Sequence, residues 1–244
     1  MNQEELMRTG EEKRIVGIIS TMENEIMLLK STMDVEATET VSGMAFLCGK
    51  LSGCPVVLVQ CGRGKVNAAV CAQTLILRFG VNSIINTGVA GALKNEINIG
   101  SIIISTDAVQ HDMDVTVLGY KRGDIPGNRL SVFPADTALR RSAAASAAAV
   151  VPQKRIYEGR ICSGDQFIAD SAKKRLVGEE LGALCCDMEG AAVAQVCAMN
   201  ATPYVMICAI SDKADDVGHI AYQGLFEAVA RHSAAIVRHM VENG

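Results

Sequence analysis

The sequence predicts an α/β fold in which strands alternate with helices and one sheet is covered on both faces. Three observations carry this. Short, β-branched apolar runs alternate along the chain with longer stretches of helical character. The runs are apolar throughout, as strands buried on both faces are. Two carboxylates also stand at the edges of such runs, in Cys186-Asp187-Met188-Glu189-Gly190-Ala191-Ala192 and in Ala209-Ile210-Ser211-Asp212. An acid where a buried strand stops is poorly explained by packing. In open α/β sheets, ligands sit beyond the carboxyl ends of the strands. Acids at those places suit a site that moves protons or steadies positive charge.

Ile15 to Ile19 is a short apolar strand, and Met22 to Lys30 reads as a helix. Ala45 to Leu51 and Val56 to Gln60 are strands joined by the turn Ser52-Gly53-Cys54-Pro55. Val66 to Phe79 is a helix of small and aliphatic residues. Ile84 to Asn86 is a buried strand running into Thr87-Gly88-Val89-Ala90-Gly91, and Ser101 to Ser105 is another β-branched run. Asp136 to Val150 is an alanine-rich helix, Ile156 to Ser163 a strand, and Ser171 to Leu181 a helix. Gly190 to Met199 is helical, Tyr204 to Ile210 is a strand, and Gln223 to Val241 is the final helix. Asp112 to Phe133 is too irregular to assign, and a long irregular loop within a compact domain is more often functional than not. Residues 1–13 read as a flexible extension and 14–244 as a single domain.

The 244 residues are 49% hydrophobic and 20% charged, enough for a full core without staples. The net charge of -4, with no basic stripe, argues against a nucleic-acid partner. No apolar run reaches membrane-spanning length, and Met1 to Arg14 is polar, unlike a signal peptide. A membrane partner is therefore not expected. The nine cysteines form no C-x-x-C pair and fall mostly in apolar runs. They read as small hydrophobes in a reducing, cytoplasmic setting. The adjacent Cys185 and Cys186 are either core residues or a redox-sensitive pair, and packing is the simpler account.

Several motifs admit two readings. Gly62-Arg63-Gly64-Lys65 is a tight turn between strand and helix or a phosphate-cradling loop, but Asn67 replaces the third glycine of a dinucleotide fingerprint. The small residues from Gly88 to Gly91 let the backbone approach either a ligand or a helix. Glu25 lies in a first helical turn, where acids favour the macrodipole without any chemistry. His111-Asp112-Met113-Asp114 fits no standard metal spacing and reads as a loop anchor. His232 and His239 are seven apart on the last helix and could share a solvated face. Phe167 leaves a strand beside Asp165, either as core or as a platform for a planar base.

In order along the chain, seven segments resemble the nucleoside phosphorylase/nucleosidase superfamily. They are Gly17-Ile18-Ile19 with Met22-Glu23-Asn24-Glu25, Gly62 to Ala69, Asn86 to Gly91, His111 to Thr116, Ser163 to Ile168, Asp187 to Ala192 and Ala209 to Asp212. Within it, these segments resemble the 5'-methylthioadenosine/S-adenosylhomocysteine nucleosidases. The resemblance implies a three-layer α/β/α sandwich with a central mixed sheet. It implies hydrolysis of the bond between adenine and a 5'-thio-substituted ribose, with no metal or organic cofactor. It also implies a homodimer whose neighbour lends residues to the 5' pocket.

Carried over by motif, the resemblance makes Asp212 the acid that protonates N7 of the leaving base and Glu25 the base that activates water. Glu189 holds the ribose hydroxyls, Met188 packs on the ribose, Phe167 stacks on adenine and the backbone of Ile168 reads its edge. Met22, Val89, Gly91 and Ser211 line the site, Tyr222 closes its ribose end, and Arg63, Val115 and Leu118 belong to the 5' pocket. Four positions depart from the common pattern. Val89 stands for Ser, Cys208 for Arg, Arg63 for Ile and Leu118 for Phe. The first two losses leave the attacking water less oriented, which is costly. An arginine at position 63 favours a carboxylate tail, as in S-adenosylhomocysteine or a futalosine-type nucleoside. The competing readings are a nucleoside phosphorylase, a futalosine-type hydrolase and a non-catalytic nucleoside-binding protein.

Overall fold

The computed structural model describes residues 14–214 and 226–244. The expected extension, Tyr222 and the first residues of the expected last helix lie outside them. The strands are β1 (Val16–Ser20), β2 (Met33–Val41), β3 (Met44–Leu51), β4 (Cys54–Gln60), β5 (Ser83–Ala92), β6 (Ile102–Gln110), β7 (Val132–Pro134), β8 (Ile156–Ser163), β9 (Cys185–Asp187) and β10 (Tyr204–Asp212). The helices are α1 (Glu23–Lys30), α2 (Lys65–Phe79), α3 (Thr137–Val150), α4 (Ser171–Glu180), α5 (Gly190–Met199) and α6 (Phe226–Glu242).

All ten strands join one mixed sheet, in the order β10-β6-β8-β9-β5-β1-β4-β3-β2, with β7 beside β6. β10 also pairs with β5, which closes the first five strands of that order into a ring. The pairings β1 with β4 and β5, β5 with β10, and β8 with β6 and β9 are parallel. The carboxyl ends of β1, β4, β5 and β10 therefore gather on one edge, while β6 and β9 pair antiparallel with β10 and β5.

Two apolar layers lie on opposite faces of the sheet, as the expected sandwich requires. One takes Ala68, Cys71 and Leu75 of α2 together with Ala191 and Ala194 of α5. The other takes Ile26 and Leu29 of α1, Leu139 and Ala143 of α3, and Ile236 and Met240 of α6. The helices start where the sequence supplies caps. Asp136 Oδ1 accepts from Leu139 N at 2.8 Å, and Asp170 Oδ1 from Lys173 N at 2.6 Å. Each such cap contributes about 1 kcal/mol.

Some elements differ from expectation. β2 and β9 were not anticipated. β2 is an edge strand whose residues are mostly exposed, so it has no apolar run to announce it. β5 does not stop at Asn86 but continues through the small-residue stretch to Ala92, because β10 supplies its partner. β6 likewise runs on to Gln110, beside β8. The irregular Asp112 to Phe133 segment contains only a single-turn helix at Thr116–Leu118 and the start of β7. It is pinned by Arg122, which meets Asp114 at 2.8 Å and Glu180 at 2.5 Å. His232 and His239 are half-buried, and His239 Nδ1 lies 3.1 Å from Ser146 Oγ.

Candidate active site

At the gathered strand ends lies a small cleft of about 70 Å³. Its lining includes nine residues anticipated from sequence: Arg63, Val89, Gly91, Phe167, Ile168, Met188, Glu189, Ser211 and Asp212. Thr21, Ala90, Gln166, Cys186 and Asp187 complete it.

Asp212 ends β10, and its position depends on one irregularity. Ile210 pairs with Ala90 but Asp212 pairs with Gly91, so Ser211 is an extra residue in β10. Such a bulge re-aims the side chain that follows. Asp212 is buried, with Oδ2 accepting from Ser211 Oγ at 2.9 Å and Oδ1 from Ala214 N at 2.7 Å. Gly91 has no room for a side chain, since a Cβ there would meet Asp212 Oδ1 at 2.8 Å and Ala214 Cβ at 2.9 Å. What the small residues of β5 admit at close range is thus the Asp212 carboxylate.

Glu189 precedes α5 and is buried; its Oε1 accepts from Gly64 N at 2.7 Å. Lys65 N donates to Asp165 Oδ1 at 2.8 Å. The amides of the Gly62 to Lys65 turn therefore serve two internal carboxylates rather than a phosphate. Positive φ values of 80° at Gly62 and 94° at Gly64 shape this turn. Asp187 Oδ2 accepts from Gly190 N at 3.0 Å, and its Oδ1 from the Ser163 hydroxyl. Burial raises the pKa of Asp187 and of Glu189, and in Glu189 the Asp187 charge adds to the effect.

Glu25 does not occupy the solvated helix-start position that its sequence place suggests. It is fully buried and does not line the cleft. Ser20 Oγ donates to its Oε2 at 2.5 Å and Thr87 Oγ1 to its Oε1 at 3.4 Å, with Ser233 of α6 a third partner. Ser20 and Thr87 face one another across the β1–β5 pairing, so sheet register assembles this nest. Burial raises the carboxyl to about 7, against the lowering effect of those hydroxyls. Met22 is buried at the helix entrance, its N donating to Ser20 Oγ at 3.0 Å.

Phe167 is 48% exposed and lines the cleft, so it is not a core residue. Val115 and Leu118 lie outside this cleft, Leu118 exposed on the pinned loop. Asp112 is a loop anchor, accepting from Lys65 Nζ at 2.6 Å and from Asp165 N at 2.9 Å. Cys185 and Cys186 are buried in β9, where burial raises both thiols and holds them protonated. Cys208 is buried and off the cleft surface. The sequence reading missed Ser20, Thr87 and Ser233. Ser20 carried the same signal as Asp212, a polar residue at the carboxyl end of an apolar strand.

The phosphorylase superfamily model matches residues 15–242. A 5'-methylthioadenosine/S-adenosylhomocysteine nucleosidase of Shewanella sediminis is 37% identical over 228 residues, which cover 93% of this chain and 98% of that one. The nucleosidase of that name from Neisseria meningitidis, solved with methylthio-immucillin-A, superposes with a TM-score of 0.89 at 34% identity, covering 95% of this chain and 100% of that one. A futalosine hydrolase mutant of Helicobacter pylori gives a TM-score of 0.88 at 28% identity, with 95% and 100% covered.

Proposed function

We propose that this chain, which belongs to the phosphorylase superfamily, is an N-glycosyl hydrolase acting on 5'-methylthioadenosine and S-adenosylhomocysteine. Adenine and the 5'-thio-substituted ribose are its products. The observation that carries this beyond kinship is the pairing, in one cleft, of the buried Asp212 with Glu189 and the open Phe167 ring.

In our reading the base stacks on Phe167, with its edge read by the Ile168 backbone. The bond from C1' to N9 stretches until the ribose is oxocarbenium-like and the base is electron-rich. Asp212 gives its proton to N7, so adenine leaves neutral. Glu189 holds the ribose hydroxyls and opposes the growing positive charge, while Met188 packs on the sugar. We assign to Glu25, buried behind the cleft wall, the proton that water loses as its oxygen bonds to C1'. A base titrating at about 7 suits that role near neutrality. Two carboxyls on opposite sides of a scissile glycosidic bond follow the general logic of glycoside hydrolysis. Val89, Gly91 and Ser211 shape the wall around these groups, whereas Met22 is buried outside the cleft lining.

We further propose a homodimer in which Val115 and Leu118 complete the neighbour's 5' pocket. The exposure of Val117, Leu118, Val66 and Leu77 supports it. Nine free thiols fit a reducing cytoplasm. Among the described residues no helix is long and apolar enough to cross a membrane.

The test is Asp212→Asn. Turnover of methylthioadenosine should fall by about 10²–10⁴-fold while equilibrium binding of the nucleoside persists. Unchanged turnover would remove Asp212 from the chemistry.

A further inference from the structure

We propose that Arg63 determines specificity at the 5' end of the nucleoside, selecting a substituent that ends in a carboxylate. This rests on the nucleosidase reading and deepens it. The first observation is charge. Arg63 is the one cation lining the cleft among the described residues, and it shares that lining with the acids Asp187, Glu189 and Asp212.

Those acids are already engaged. Glu189 accepts from Gly64 N, Asp187 from Ser163 and Gly190, and Asp212 from Ser211 and Ala214. None of these bonds involves Arg63. Its side chain is exposed and without a partner among the described residues. A cation with no partner among the described residues, at the wall of the cleft, is available to a ligand there.

The second observation is placement. The Arg63 carbonyl accepts from Asn67 Nδ2 at 2.6 Å, and the amides of the next two residues are tied to Glu189 and Asp165. The backbone that carries the guanidinium is therefore fixed beside Glu189. A chain of contacts then orders the cleft. Asp212 abuts Gly91, Gly91 pairs with Cys186, Glu189 lies three residues beyond Cys186, and Glu189 reaches Gly64, next to Arg63. A nucleoside with its base at Asp212 and its hydroxyls at Glu189 extends its remaining substituent toward Arg63.

A methylthio group offers a guanidinium nothing. A carboxylate accepts two parallel N–H donors from it, a geometry that lysine cannot reproduce. Hydrogen bonds to charged groups of this kind correspond to about a ten- to hundredfold preference.

The experiment compares S-adenosylhomocysteine, methylthioadenosine and a carboxylate-free 5'-alkylthioadenosine of similar length. It measures kcat/KM with wild-type protein, Arg63→Ile and Arg63→Lys, and equilibrium binding with the same substitutions on an Asp212→Asn background. Thermal melting checks that each variant folds. We expect Arg63→Ile to lower the ratio of S-adenosylhomocysteine to either carboxylate-free nucleoside about ten- to hundredfold, with Arg63→Lys in between. An unchanged ratio overturns the proposal. A binding ratio that depends on Arg63 in a protein that turns over none of the three supports it, and sinks only the nucleosidase reading.

Discussion

At Glu25, placement and protonation are set by the same few atoms. Full burial lifts its pKa to about 7, and the Ser20, Ser233 and Thr87 hydroxyls pull it down. A general base works ionised, so turnover should rise with pH through about 7. Ser20→Ala removes a hydrogen bond that favours the ionised form, and the pKa must rise. The acidic limb of the kcat/KM profile should then move up by about one pH unit. A lower plateau with the limb unmoved would make Ser20 merely structural. Asp212 was legible as a polar residue at the carboxyl end of an apolar strand, and Ser20 carried the same signal but was missed. Glu25 was singled out only through the family resemblance. Its first-turn position has a sufficient explanation in the helix dipole, and only the fold shows that it faces inward.

Elements with a strong apolar signature were legible almost to the residue, such as β8 and α5. Those that depend on a partner were not. β2 is stabilised by pairing with β3, and β9 is three residues held between β5 and β8. The Ser211 bulge, which aims Asp212, exists only in the register of β10 against β5. α2 also carries a surface that the described residues leave open. Val66, Val70 and Leu77 are exposed on it, and Met199 is exposed at the end of α5, which packs against it. Apolar residues exposed together along packed helices mark an interface. Sedimentation velocity should find a two-chain particle, and Leu77→Asp should shift it toward a single chain. A single-chain wild-type particle would contradict the proposed dimer.

The molecule as a whole directs β1, β4, β5 and β10 at one edge and collects acids there. β1 brings Ser20 to Glu25, β5 and β10 bring Gly91 to Asp212, and the turn after β4 grips Glu189. The three-layer arrangement was legible because each layer rests on local periodicity. The closed ring of strands was not, since it depends on β5 pairing with β10, far apart in sequence. This edge is poorly suited to a phosphate nucleophile. The turn amides that might cradle one are occupied by Glu189 and Asp165, and the lining acids outnumber the lone Arg63. Water is therefore the nucleophile that the site favours. The most direct test is the rate of adenine release from methylthioadenosine, measured without phosphate and again with phosphate added, with the sugar product identified in each case. Hydrolysis predicts the same rate in both and free 5-methylthioribose as the product. Release that requires phosphate and yields a ribose 1-phosphate ester would contradict it.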